Sequence, residues 1–239
     1  MKLGTLLLLT ILPAFIGAGC HVNIGSEHHQ SRHSPAVRKG SELNEYELLG
    51  LRADASFETE VEKALAAAKD LRIKPGSTVM LIKSGRSLPD QKMVQALEGN
   101  YQVVTFTGIP TEAGFKAEAE TPFSKGIRLA AARAGAETII CYWEKLETTT
   151  QELPTSIVSW VPVLDLTLPH ESQSLRLTAK LAVIDVRSGN WALFTTQPHE
   201  RKGLRTASGK EHNDQTHIEA LRGTAYNAAA AEIQRRYSK

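Results

Sequence analysis

Apolar residues in the first half of the chain alternate between helical spacing and short continuous runs, which predicts alternating helices and strands. The run Thr78–Ile82 lies between turn signals and predicts a strand buried on both faces. Proline and glycine mark the ends of the neighbouring elements. These elements are a helix over Ser56–Arg72, a helix capped by Ser87 or Leu88 that ends at Gly99, a strand Tyr101–Thr107, a helix opened by Thr121 and closed by Gly135, and a strand Thr138–Trp143.

The second half has long and partly alternating strands, which are typical of an antiparallel sheet. Its predicted elements are strands over Ser156–Leu168, Ser174–Val186 and Trp191–Phe194, a hairpin turn Arg187–Asn190, a polar loop Pro198–Asp214, and a helix from Ile218 onward. The element order predicts an α/β fold with a single domain over residues 45–239. Its sheet is mixed: a parallel β-α-β-α-β half is followed by an antiparallel meander and a C-terminal helix.

The amino terminus carries one charge, Lys2, followed by the apolar run Leu3–Ile16. This pattern predicts a secretory signal peptide over residues 1–19, because the run is too short to span a bilayer. The run ends in the sequence Gly-Ala-Gly-Cys at residues 17–20, which resembles the lipobox of bacterial lipoproteins. Gly17 stands where that family prefers leucine. An ordinary cleaved signal and an uncleaved anchor are the alternatives.

The lipobox resemblance implies that Cys20 becomes the first mature residue and carries acyl chains, palmitate among them, that hold the chain to the membrane. His21 follows it, where an aspartate would retain an enterobacterial lipoprotein at the inner membrane. The resemblance therefore implies an outer-membrane protein that faces the periplasm of a double-membrane bacterium. Residues 20–44 show no sustained apolar period and predict a flexible tether between lipid and domain.

A second resemblance concerns the domain. The segment Lys125–Ile140 contains a small-residue helix, a Gly-Ala step and a buried strand, and the segment Val183–Trp191 contains an Asp-Val-Arg-Ser-Gly turn. These features resemble envelope proteins of the anticodon-binding-like α/β fold, which include the TolB amino-terminal domain, the curli-secretion lipoprotein and lipoprotein activators of penicillin-binding proteins. The resemblance implies a periplasmic adaptor or assembly factor without catalytic residues.

Composition narrows the class of partner. The 239 residues carry 28 basic and 26 acidic side chains, a net charge of +2, and this balance argues against nucleic acid as a partner. Two cysteines exclude a disulfide-rich scaffold. With Cys20 lipidated, Cys141 is the remaining thiol, and its apolar neighbours predict a buried structural side chain. The motifs indicate no cofactor.

His212, Asp214 and His217 form the best candidate for a metal site. Asp214 and His217 are three residues apart, so they share one face if a helix begins there. The alternative is structural: Asp214 caps the helix that follows, and His217 is a solvated residue of its first turn. We favour the structural interpretation, and expect no metal.

Gly85, Arg86 and Ser87 form a candidate anion site, because they lie between a predicted strand and a predicted helix. Ligands of open α/β sheets bind at this edge, and helix amino ends attract anions such as phosphate or carboxylate. The segment matches neither a P-loop nor a dinucleotide-binding fingerprint. A plain surface loop is the alternative.

Two functions compete at this point. The first is binding: a lipid-anchored domain that docks to an envelope protein or to its own copies through an exposed edge of the long strands over 157–194. The second is an envelope hydrolase with a metal or anion site at His212, Asp214 and His217 or at Arg86. We expect binding, because each candidate constellation for catalysis lacks a member.

Overall fold

The computed structural model describes residues 42–51, 57–67, 71–109, 123–152, 171–205 and 210–238, with a few side chains at element ends, including those of residues 210–214, outside the description. The elements are α1 (Glu45–Leu49), α2 (Phe57–Ala67), β1 (Thr78–Lys83), α3 (Gln91–Glu98), β2 (Gln102–Phe106), α4 (Phe123–Arg133), β3 (Thr138–Glu152), β4 (Glu171–Asp185), β5 (Trp191–Thr195), β6 (His199–Arg205) and α5 (Lys210–Tyr237). Among the described helices, none is both long and apolar enough to cross a membrane.

The strands form a six-stranded mixed sheet in the order β2-β1-β3-β4-β5, and β6 pairs with β4 beyond the end of β5. The strands β2, β1 and β3 are parallel, whereas β4 is antiparallel to β3, β5 and β6. The predicted fold class is therefore confirmed: an α/β fold whose parallel half precedes its antiparallel half and whose last element is a helix.

Two hydrophobic clusters lie on opposite faces of the sheet, because successive strand side chains point to opposite sides. On β1, Val79 and Leu81 pack with residues of α3 and α5, while Met80 and Ile82 pack with residues of α1 and α4. Both faces of β1 are thus covered, which explains why this strand reads as a continuous apolar run.

The strands β3 and β4 form a ladder of 15 residue pairs, which makes them much longer than the other strands. Near the parallel half, β4 also pairs with β5, and farther along it pairs with β6. The far half is covered on one face by α5, through a third apolar cluster that includes Leu175, Leu177, Ile218 and Leu221. The single helix α5 therefore covers both halves of the sheet on one side.

Several predicted boundaries are wrong. The segment predicted as a polar loop, Pro198–Asp214, contains β6 and the first turns of α5, because β6 is held by backbone pairing with β4 rather than by apolar side chains. The cap of α3 is Asp90, not Ser87 or Leu88. The strand predicted over Thr138–Trp143 continues to the end of β3, and α1 was not predicted.

Three predicted features lie partly or wholly outside the described residues. They are the strand over Ser156–Leu168, the helix start at Thr121, and the last part of the helix over Ser56–Arg72. The described part of that helix is α2. The predicted turn Arg187–Asn190 is confirmed: the Asp185 carboxylate accepts hydrogen bonds from the backbone and the hydroxyl of Ser188, and Gly189 has a φ of 80°.

Candidate functional site

The carboxyl end of β1 and the adjacent middle part of β3 bring charged side chains together at the sheet edge where open α/β folds bind ligands. Lys83 is the last residue of β1, and its ammonium lies 2.5 Å from Oδ2 of Asp90 and 2.9 Å from Oε2 of Glu144. Asp90 caps α3, and Glu144 follows the apolar part of β3. The Lys83 and Glu144 side chains are 7% and 8% exposed, so the pairing excludes most water.

The helix α5 completes this group with two residues one turn apart. The Arg222 guanidinium donates to Oε1 of Glu144 at 2.8 Å and to Oε1 of Glu219 at 3.0 Å. The Tyr226 hydroxyl donates to Oδ2 of Asp90 at 2.6 Å and also contacts Oε2 of Glu144. We call Lys83, Asp90, Tyr142, Glu144, Arg222 and Tyr226 the charge cluster.

Tyr142 fixes the position of Asp90 in the charge cluster. Its hydroxyl donates to Oδ2 of Asp90 at 3.0 Å and accepts from the backbone N–H of Asp90 at 2.9 Å. The rings of Tyr142 and Tyr226 meet edge to face, with centroids 5.7 Å apart. The cap of α3 is therefore held by a side chain from β3.

The charge cluster balances two carboxylates against two cations. Burial by itself raises the pKa of Glu144, but the Lys83 ammonium and the Arg222 guanidinium outweigh it and hold that pKa at about 2. Burial and the neighbouring carboxylates raise the pKa of Tyr226 well above its usual range, so its hydroxyl stays a donor. The groups of the cluster bind one another, and this favours a structural role over acid–base chemistry.

The candidate anion loop lies next to this cluster and uses its backbone groups internally. The N–H of Gly85 donates to the carbonyl of Gly108, and the N–H of Arg86 donates to the carbonyl of Lys83. Gly108 approaches so closely that a Cβ there would lie 1.8 Å from the Lys83 carbonyl oxygen. Ser87 is exposed. Anion binding by Gly85, Arg86 and Ser87 stays a prediction.

The candidate metal residues lie on α5, which begins at Lys210, so Asp214 is inside the helix rather than at its cap. The side chains of His212 and Asp214 are outside the description. His217 packs between α5 and β6: a Cβ on Gly203 would lie 2.7 Å from its ring. Among the described residues there is no group of three metal-ligating side chains, and metal binding here stays a prediction.

The start of the described chain is bound to the same end of the sheet as the charge cluster. The N–H of Leu43 donates to the Ser84 hydroxyl at 2.8 Å, and its carbonyl accepts from the Trp143 indole at 3.2 Å. Leu43 is buried, although residues 20–44 were predicted as tether. Cys141 is fully buried, and burial raises the pKa of its thiol, in line with the predicted structural role.

The opposite edge of the sheet, at the amino ends of β1 and β3, carries an open groove of about 1070 Å³. It lies between α4 and the segments 72–75, 135–137 and 185–187. Five basic residues line it against two acidic ones, Glu137 and Asp185. We call it the basic groove. It has no counterpart among the candidate binding sites that the sequence indicates.

A further exposed feature is the edge of β3. The strand β1 pairs with β3 only from Thr138 to Tyr142. Beyond Tyr142, β3 pairs with β4 on one side, and none of the strands that the structure describes pairs with its other side. We call residues 144–152 on this side the free edge of β3.

A comparison with family models assigns this α/β domain to the bacterial lipoproteins, a class of cell-envelope proteins. The chain belongs to the YafT bacterial lipoprotein family, whose model matches residues 44–236. The chain is therefore a lipid-anchored envelope protein, as the lipobox resemblance implies. No curated protein matches the chain.

Solved structures that resemble the chain include three more lipoproteins. Rare lipoprotein B from Shewanella oneidensis is 14% identical, with a TM-score of 0.36 over 67% of this chain and 100% of that one. A minor lipoprotein from Acinetobacter baumannii is 13% identical, with a TM-score of 0.30 over 68% and 91%. Lipoprotein GNA1162 from Neisseria meningitidis is 14% identical, with a TM-score of 0.23 over 63% and 99%.

The sequence contains weak signals for the charge cluster that pattern reading alone misses. Lys83 and Glu144 each follow an apolar strand segment directly, and Arg222 and Tyr226 are four residues apart and so share one face of a helix. A charged residue at the end of a buried run needs a partner, and this requirement could have linked Lys83 to Glu144.

Proposed function

We propose that this lipoprotein acts by binding, without a chemical step, and that it docks an extended segment of an envelope protein on the free edge of β3. The observation that carries the proposal is that, among the strands the structure describes, only β4 pairs with β3 beyond Tyr142. An unpaired strand edge offers N–H and C=O groups to a partner strand, whose main chain then supplies most of the affinity.

The register of β3 identifies the groups that such a partner would meet. The Tyr142 carbonyl accepts a hydrogen bond from the Ser84 N–H, so the backbone N–H and C=O of Tyr142 point toward β1. N–H and C=O of one residue point to the same side and alternate along a strand, so Glu144, Leu146, Thr148 and Thr150 point theirs to the free edge. The intervening residues, such as Thr149, bond to β4.

The interior of the molecule supports binding rather than catalysis. The carboxylates of Asp90 and Glu144 are bound by Lys83, Arg222 and Tyr226, all within the charge cluster. A general acid or base needs a reactive group within reach of a substrate, with a pKa near the working pH. Glu144, with a pKa of about 2, does not meet the second condition.

We place the lipid on Cys20 and the domain on the periplasmic side of the outer membrane. The family supports a lipid anchor, and the Gly-Ala-Gly-Cys sequence supports the site. Anchoring raises the effective concentration of the domain near a membrane-bound partner. The resemblance to TolB-like and penicillin-binding-protein-activating lipoproteins agrees with an adaptor or assembly role.

In-cell photo-cross-linking tests the free edge. A photoreactive residue at Lys145, on the exposed side of β3, should give one discrete adduct, while the same residue at Gln95 on α3 should not. Thr148→Pro removes an outward N–H and should abolish the adduct without loss of folding, and Thr148→Ser should keep it. An adduct of twice the chain mass identifies a second copy as the partner. An adduct that survives Thr148→Pro, or no discrete adduct, contradicts the proposal.

Intact-mass measurement tests the anchor. Protein extracted from membranes should begin at Cys20 and carry the mass of its acyl chains, and Cys20→Ala should release the protein or stall its processing. A wild-type product that is cut elsewhere and carries no lipid would disprove this part of the proposal and leave the edge proposal untouched.

A further inference from the structure

The basic groove combines exposed cations at its rim with an exposed apolar side chain, Leu129. Lys74, Lys125 and Arg187 are exposed at the rim, and their side chains have no ion pair with the described residues. Ile73 and Leu129 are part of the lining, and Leu129 is 53% exposed although it is a large apolar residue. Exposed apolar surface next to cations is typical of a ligand site.

Hydrogen bonds from Arg128 hold the hairpin between β4 and β5, which forms one wall of the basic groove. The Arg128 guanidinium donates to the Val186 carbonyl at 2.9 Å and to the Arg187 carbonyl at 2.7 Å. Asp185, one of the two acidic residues, already accepts two hydrogen bonds from Ser188. The groove is nevertheless lined by five basic residues against two acidic ones. The Arg128 guanidinium is bound to the hairpin backbone, so the other cations are the ones available to a ligand.

The size of the basic groove points to a ligand larger than an inorganic ion. The groove measures about 1070 Å³, whereas one water takes up about 30 Å³ of liquid and pockets for small organic ligands measure roughly 300–1,000 Å³. A ligand that contacts both the cations and Leu129 needs an anionic group and an apolar part. Acidic phospholipids have both, and a lipid-anchored protein is held next to a membrane.

We propose that the basic groove binds one acidic phospholipid, with the phosphate at Lys74, Lys125 and Arg187 and the beginning of the acyl chains against Leu129. The chain is long enough for the basic groove to reach the membrane that holds Cys20. The 22 residues between Cys20 and Leu43 can span at most about 75 Å, whereas the groove lies only about 20 Å from Leu43, the length of β1. This inference rests on the lipid anchor and not on the free edge of β3.

Native mass spectrometry of the full mature protein in neutral detergent tests the inference. Titration with phosphatidylglycerol should show one bound lipid with at least tenfold tighter binding than phosphatidylcholine. The double variant Lys125→Ser/Arg187→Ser should lose at least tenfold in that affinity. The matched control Arg201→Ser/Lys202→Ser removes two exposed cations from β6 and should bind as the wild type does.

Further measurements distinguish a bound phospholipid from a bound inorganic anion. Leu129→Ser should weaken phosphatidylglycerol binding, because it removes apolar contact and no charge. Inorganic phosphate that binds as tightly as the lipid, equal binding of both lipids, or full binding by Lys125→Ser/Arg187→Ser would overturn the inference. Thr148→Pro should keep lipid binding, so a failure here and a failure of the strand-docking proposal give different results.

Discussion

The two ends of the sheet differ in whether their charged side chains are buried in ion pairs or exposed to solvent. At the carboxyl end of β1 and the adjacent middle part of β3, Lys83 and Glu144 are buried, and their charges are neutralised inside the charge cluster. At the amino ends, Lys125 and Arg187 are exposed at the rim of the basic groove and have no ion pair with the described residues. One end is closed by its own residues, and the other is open to solvent.

This contrast reverses the usual expectation for open α/β sheets, in which ligands bind at the carboxyl ends of the strands. Here that end is occupied by Asp90 at the cap of α3, by α5, and by the attachment of Leu43. The loop between β1 and α3 is bound to Gly108 as well. The position of a ligand site in such a fold therefore depends on which end of the sheet is left uncovered by the helices and the chain termini.

The largest expected effect tests whether the closed end depends on its charges. Glu144→Gln removes the carboxylate that Lys83 and Arg222 share, and leaves two buried cations without it. We expect a loss of about 3–5 kcal/mol in the free energy of unfolding, measured by urea denaturation. Glu147→Gln, on the same strand but at an exposed pair with Lys145, should cost less than about 1 kcal/mol. Equal losses in both variants would contradict a closed cluster.

Low pH should weaken the charge cluster and so lower the free energy of unfolding. The folded pKa of Glu144 is about 2, below its ordinary value of 4.5, so its stabilising contribution is complete above pH 4.5 and is lost as the pH falls toward 2. The shift corresponds to about 3 kcal/mol as an order of magnitude. Urea denaturation across this pH range should show the loss in the wild type, and Glu144→Gln should lack that part of it. Identical pH profiles in the two proteins would exclude Glu144 as the source.

A smaller effect is expected from the hydroxyl that links the two carboxylates. Tyr226→Phe removes the donor to Asp90 and keeps the ring in the core, so we expect a loss of about 1–3 kcal/mol. Thermal unfolding measures it. Tyr46→Phe, at a residue that is 67% exposed, is the matched control and should not change the midpoint. A midpoint unchanged in Tyr226→Phe would show that water replaces the hydroxyl.

The smallest effect is expected at the open end. Lys125→Ser/Arg187→Ser should change the free energy of unfolding by no more than about 0.5 kcal/mol, because neither side chain has a described ion pair. Arg128→Ser, in the same groove, should cost about 1–3 kcal/mol, because its guanidinium holds two backbone carbonyls. Both are measured by urea denaturation. A large loss in the first variant would show that the rim supports the fold.

Much of the fold could be predicted because it depends on local patterns. The run Thr78–Ile82 and the turn Arg187–Asn190 are local signals, and the handedness of crossovers then orders the parallel strands. The strand β6 could not be predicted, because its sequence His-Glu-Arg-Lys-Gly-Leu-Arg has no apolar alternation. Its place is set by backbone bonds to β4, which depend on the tertiary structure.

The site was harder to predict, because its parts are far apart in sequence. Lys83, Glu144 and Arg222 are brought together by the crossover between β1 and β3 and by the return of α5 across the sheet. The basic groove is assembled from four separate segments, and the motifs in three of them indicate a fold rather than a ligand. Sequence patterns predict which residues are buried, but not which buried charges meet.

The position of α5 sets the time at which the domain can fold. Its residues Arg222 and Tyr226 complete the charge cluster, and Ala229 and Ile233 complete the core over β1 and β3. Synthesis at 5–20 residues per second takes roughly 1 to 6 s for the 28 residues of α5. Until then the face that carries Val79 and Leu81 is covered by α3 alone. The core of the domain is therefore completed only when its last helix has been synthesised.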